Sequence, residues 1–146
     1  MTPSERQPDV IVDFVFEDGL FFIAIKNLGD SPAYDVSVAF NKKFTGVEGT
    51  KEISALPLFR NLAFLAPHKE IVAFLDTSAS YFRRRQPTNI RATITYRNAS
   101  GAACRSVIRH DLTVYKEIGY VRRPTVSHEE VSRKDDRPTE TNPHAC

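Results

Sequence analysis

The chain has 146 residues, 41% of them hydrophobic and 26% charged, which is the size and make-up of one globular domain around one hydrophobic core and excludes a wholly disordered, collagen-like or disulfide-scaffold protein. The formal net charge of +2 is unevenly spread. The segment from Pro124 to Cys146 holds three basic and five acidic residues, which leaves residues 1–123 with a surplus too mild for a dedicated nucleic-acid module. No apolar run approaches the roughly 18 residues of a membrane span, the longest being Leu20 to Ile25. The opening MTPSERQPDV lacks the apolar stretch of a secretory signal. Cys104 and Cys146 are too few for a disulfide framework, so the expectation is a soluble protein of a reducing cytoplasm.

Met1 to Pro8 is a short polar lead whose two prolines oppose regular structure. Val10, Val12, Phe14 and Phe16 then alternate with the intervening residues, the period of a strand. Asp18-Gly19 supplies the positive backbone angles of a tight hairpin turn, and Leu20 to Lys26 returns as a second strand, apolar on both faces. Asn27 to Ala33 is dense in turn formers. In Tyr34 to Phe40, Val36, Val38 and Phe40 share one face and Asp35, Ser37 and Ala39 the other. Asn41 to Ala55 reads as a long loop with room for a short edge strand near Lys51 to Ser54.

Leu56 to Leu65 is apolar without a clean period and carries Pro57, which suits a connection capping the core. Lys69 to Asp76 reads as a strand buried on much of both faces, and Thr77 to Pro87 as a loop or one helical turn. Thr88 to Arg97 places Ile90, Ala92, Ile94 and Tyr96 inward. Asn98 to Gly101 turns, and Ala102 to Tyr115 returns with Ser106, Ile108, His110, Leu112 and Val114 on one face. Short turns and the lack of an amphipathic helical stretch predict an all-β fold, an antiparallel immunoglobulin-like β-sandwich of about seven strands over residues 9–123. The segment 124–146, with three prolines and no aromatic residue, reads as a disordered polar tail.

The punctuation Ile25-Lys26-Asn27-Leu28-Gly29, Pro32-Ala33-Tyr34-Asp35-Val36, Leu65-Ala66-Pro67 and Thr95-Tyr96-Arg97 before Gly101 resembles that of the bacterial cell-adhesion-related (CARDB-type) immunoglobulin-like domains. The likeness extends to a group of uncharacterised bacterial proteins built on that domain. His68 stands where glycine is common in that pattern. The resemblance implies a fold and is almost silent on activity.

Phosphate-loop, dinucleotide-turn, nucleophile-elbow and zinc-helix motifs are all missing from the sequence. The four histidines are scattered, so neither a metal nor a cofactor is expected, and the chain reads as a non-enzyme. His110 fits a strand histidine bonded to backbone better than a general base. Cys104, on the inward set, fits a small buried thiol that packs like alanine. Asn98-Ala99-Ser100 matches a glycosylation sequon, but turn chemistry explains it better.

One feature rises above this background. Arg91, Arg97, Arg105 and Arg109 occupy odd positions of the closing hairpin. A cross-strand register with an even sum puts all four on the outer face, whereas an odd sum would bury two of them at a desolvation cost of several kcal/mol each. The run Arg83-Arg84-Arg85 extends the basic surface as a further candidate. The expected function is a non-catalytic binding or scaffolding module that meets another protein through an acidic patch. The alternative is an anionic polymer, nucleic acid or polysaccharide, on the same face. Threonine and valine between the arginines weigh against nucleic acid, which favours interleaved aromatic residues.

Overall fold

The computed structural model describes residues 6–116, 118 and 146. Ten elements follow in chain order: β1 (Val10–Glu17), β2 (Leu20–Asn27), β3 (Ala33–Phe40), β4 (Thr45–Gly46), β5 (Lys51–Glu52), β6 (Leu62–Leu65), β7 (Glu70–Thr77), α1 (Ser78–Arg83), β8 (Asn89–Arg97) and β9 (Ala103–Asp111). A three-stranded sheet in the order β1-β2-β7 faces a four-stranded sheet in the order β6-β3-β8-β9, and β4 and β5 form a small separate hairpin. All pairings are antiparallel. The expected sandwich is the observed one, with seven strands in its two main sheets.

Local chemistry accounts for the turns. Asp18 and Gly19 adopt φ of 52° and 79°, the two positive angles that let a two-residue loop follow the twist of its strands, and Glu17 accordingly pairs with Leu20. In the β8–β9 turn the Asn98 side chain accepts hydrogen bonds from the Ser100 and Ala102 amides at 3.0 and 2.9 Å. The sequon's asparagine is therefore a turn former here.

The core lies between the sheets. Val10, Val12, Phe14, Phe21, Ile23 and Ile25 from one layer meet Ala33, Val36, Leu65, Ile90, Ala92 and Ile94 from the other, all with little or no exposure. One buried polar side chain ties the two layers at one end. Asn27 donates to the carbonyls of Ser31 and Leu65 and accepts from the amides of Asp9 and Gly29, so its hydrogen-bonding capacity is filled without water. Gly29 is required beside it, because a Cβ there would collide with the backbone of Gln7, Pro8 and Asp9. Tyr96 Oη and Ser106 Oγ meet at 3.1 Å in the interior.

The structure corrects several expectations. Leu62 to Leu65 is an edge strand paired to β3, although Phe59 just before it does plug the core. Strand β7 is not buried on both faces: Val72 is 47% and Phe74 41% exposed. Cys104 is buried as expected but is bonded to Cys146, a pairing across 42 positions that sequence spacing cannot announce. Apart from Cys146, the tail 124–146 lies outside the described residues. Among the described residues no helix is long and apolar enough to cross a membrane.

Candidate partner-binding face

The register of the closing hairpin decides where its arginines point. Arg91 lies opposite Arg109, Thr95 opposite Arg105 and Arg97 opposite Ala103, the even-sum register. Ile90, Ala92, Ile94 and Tyr96 are buried, whereas Arg91, Arg97, Arg105 and Arg109 are exposed on the outer face of the four-stranded sheet. Strand β3 is the next strand in and pairs Ser37 with Thr95 and Ala39 with Thr93, so small side chains lie beside the stretch of β8 between its two arginines.

Charge on this face is poorly balanced. Arg97 reaches Asp35 at 4.0 Å, with both side chains more than half exposed, and donates to the Gly101 carbonyl at 3.0 Å. Among the described residues no carboxylate comes within ion-pair distance of Arg91, Arg105 or Arg109. Asp111 is engaged elsewhere, accepting from the amide and hydroxyl of Thr113 at 3.0 and 2.6 Å. These bonds hold its carboxyl below the ordinary value. Directly opposed like charges such as Arg91 and Arg109 destabilise a sheet mildly. A concavity of about 450 Å³ opens beside this cluster, lined by Asp35, Thr95, Tyr96, Arg97, Ala103, Cys104 and Arg105.

The Arg83-Arg84-Arg85 run is divided by the structure. Arg83 and Arg85 are exposed around the end of α1, the helix that follows β7 of the other sheet. Arg84 turns inward and leaves the candidate surface: it donates to Asp76 Oδ2 at 2.5 Å, to Thr45 Oγ1 at 2.7 Å and to the Thr45 carbonyl at 3.1 Å. Asp76 comes to be buried through a β-bulge. Phe21 pairs with Asp76 but Phe22 with Phe74, so Leu75 is the extra residue and both Leu75 and Asp76 face inward. Burial would push the Asp76 carboxyl up. The guanidinium of Arg84, helped by the amides of Glu48 and Thr77, outweighs that and holds it below the usual carboxylate value.

His110 is held by contacts to the backbone and to an aromatic ring. His110 donates from Nε2 to the Val12 carbonyl at 2.8 Å and packs edge-on against Phe14 with ring centroids 4.9 Å apart. Burial lowers its pKa despite that hydrogen bond, so the ring is neutral at physiological pH and ties β9 to β1 across the sandwich. Among the described residues no cluster of histidine, cysteine and carboxylate side chains is arranged to hold a metal.

Two residues of this face escape sequence reasoning. Strict alternation from Val36 would turn Tyr34 inward, but β3 shifts register between Tyr34 and Ser37, and Asp35 takes a φ of 51°. This bulge keeps Val36 inside and sends Tyr34 out. Its neighbour is Phe64 of β6, opposite it in register, 52% exposed, with ring centroids 5.4 Å apart. The apolar run containing Phe64 has no period to mark it as a strand, so only β-bulge geometry and strand pairing place the two rings beside Arg97.

The chain belongs to the family described as a domain of unknown function, DUF8453, whose model matches residues 1–116. No curated protein and no solved structure matches it.

Proposed function

We propose that this DUF8453 domain is a non-catalytic binding or scaffolding module that recognises another protein, laying the outer face of β8 and β9 against an acidic patch. The observation that carries the reading is the charge pattern. Four arginines share one sheet face, two of them directly opposed, with a single weak carboxylate contact among the described residues. Such a cluster is relieved by an anionic partner, and arginine is the residue best suited to pair with carboxylates through two parallel hydrogen bonds. The same charge would serve an anionic polymer, and a steep fall of affinity with salt would mark that alternative.

The disulfide modifies the proposed place of work. Cys104–Cys146 persists where the surroundings are oxidising, so the cysteine argument for a reducing cytoplasm falls away, and we place the domain in a compartment that leaves the bond formed.

The test is affinity capture from source-cell lysate, comparing the intact chain with a variant carrying Arg91→Glu, Arg97→Glu, Arg105→Glu and Arg109→Glu whose circular dichroism is unchanged. The expected result is a protein retained by the first and lost by the second. Equal capture by both would refute the arginine face.

A further inference from the structure

The rung Phe64–Tyr34–Arg97 crosses three adjacent strands of the sheet in register. It joins exposed Phe64 and half-buried Tyr34 to the end of the arginine cluster where the concavity lies between Asp35, Arg97 and Arg105. Resting on the protein-binding reading above, we propose that this rung is the anchoring subsite of the face, and that its ligand is an acidic peptide segment carrying an aromatic or large aliphatic side chain within one or two positions of a carboxylate. The apolar side chain would lie against Phe64 and Tyr34, and the carboxylate between Arg97 and Arg105.

Geometry and composition support this occupant. Arg97 and Arg105 are diagonal neighbours, since Arg97 pairs with Ala103 and Arg105 lies two residues farther along β9. That diagonal spacing of roughly 7–8 Å allows one carboxylate to meet both guanidinium groups. From the middle of the Phe64–Tyr34 pair to Arg97 is about one and a half strand spacings, roughly 7 Å, which an extended peptide covers in about two residues. The face joins arginine with tyrosine and phenylalanine, the residue types enriched where proteins meet proteins.

A single-stranded nucleic acid fits less well. It would need successive stacking platforms, and the positions between the remaining arginines are Thr93, Thr95 and Val107.

The experiment titrates the full chain, isotopically labelled and oxidised, with three capped peptides followed by amide NMR shifts. They are Glu-Glu-Phe-Glu-Glu, Glu-Glu-Ala-Glu-Glu and Gly-Ser-Phe-Ser-Gly, and oligothymidylate serves as a fourth probe. We expect the phenylalanine-bearing acidic peptide to bind about fivefold or more tighter than its alanine counterpart, from partial burial of one ring, with shifts centred on Tyr34, Phe64, Arg97 and Arg105. Phe64→Ala and Tyr34→Ala should abolish that ratio and leave the alanine peptide's affinity unchanged, while Arg97→Gln with Arg105→Gln should weaken both acidic peptides. Equal affinity for the two acidic peptides, or a ratio that survives Phe64→Ala and Tyr34→Ala, would overturn the subsite and leave the arginine face standing. No shift at any of the four outer-face arginines with millimolar acidic peptide would overturn both. Tighter binding of oligothymidylate than of every peptide would overturn the peptide ligand in favour of a nucleic acid.

Discussion

Replacing Asp76 by alanine would leave Arg84 with its side chain four-fifths buried and no counter-charge, since the pair's side chains are 21% and 1% exposed. The same change takes the acceptor from the Glu48 and Thr77 amides, in a loop where Val47 and Glu48 already adopt φ of 53° and 56°. Breaking a buried pair from one side costs about 3–5 kcal/mol. The residual exposure of Arg84 puts the expectation at the low end, about 3 kcal/mol, or a fall in Tm of roughly 10 °C for a domain of this size. Asp76→Asn keeps the oxygen for the two amides and removes only the charge, so a smaller loss is expected. The pH dependence separates charge from shape. Because the folded carboxyl titrates below its unfolded value of 3.8, its contribution is present above that pH and fades as pH falls through the lowered folded value. The stability gap between wild type and Asp76→Asn should therefore narrow in acid. Urea unfolding followed by circular dichroism at neutral and acid pH measures all three proteins. A loss under about 1 kcal/mol for Asp76→Ala, or a wild type to Asp76→Asn gap independent of pH, would refute the reasoning.

Four further outcomes follow from the same structure. Asn27→Ala orphans two half-buried amides and two carbonyls, that of Leu65 buried, and should cost about 3 kcal/mol in urea unfolding; an effect within the noise of the assay would show that water replaces the side chain. His110, held below its unfolded value of 6.5 by burial, binds its proton more readily in the unfolded chain, so stability should decline as pH drops below that value. His110→Gln should remove this part of the slope. His68 sits at a φ of 63°, so His68→Gly should raise stability by about 0.5–1 kcal/mol, read as an upward shift in Tm. With Cys104 and Cys146 joined, the non-reduced chain should not react with maleimide; after reduction both thiols should react, exposed Cys146 before buried Cys104.

Local patterning was enough for β1, β2, β3, β7, β8 and β9 and for the two hairpin turns, because side-chain period and turn chemistry act over a few residues; β6, which has no period, was missed. Asp18-Gly19, the alternation of β8 and the even register of the closing hairpin all follow from which faces must avoid water. The outward set of Arg91, Arg97, Arg105 and Arg109 followed from the same rule, as did the burial of Cys104. His68, whose left-handed φ of 63° is the conformation that favours glycine, carries no such signal in its own side chain.

Tertiary structure decided whatever depended on an extra residue in a strand or on distant segments meeting. A bulge at Asp35 turned Tyr34 outward, and one at Leu75 turned Asp76 inward, each breaking the period of two that sequence reading relies on. Strand pairing across the sheet brought Phe64 to Tyr34 and Arg97. Long-range contact removed Arg84 from the basic surface and joined Cys104 to the last residue of the chain. Periodicity records which side of its own strand a residue occupies; partners from elsewhere in the chain are chosen only when the layers close.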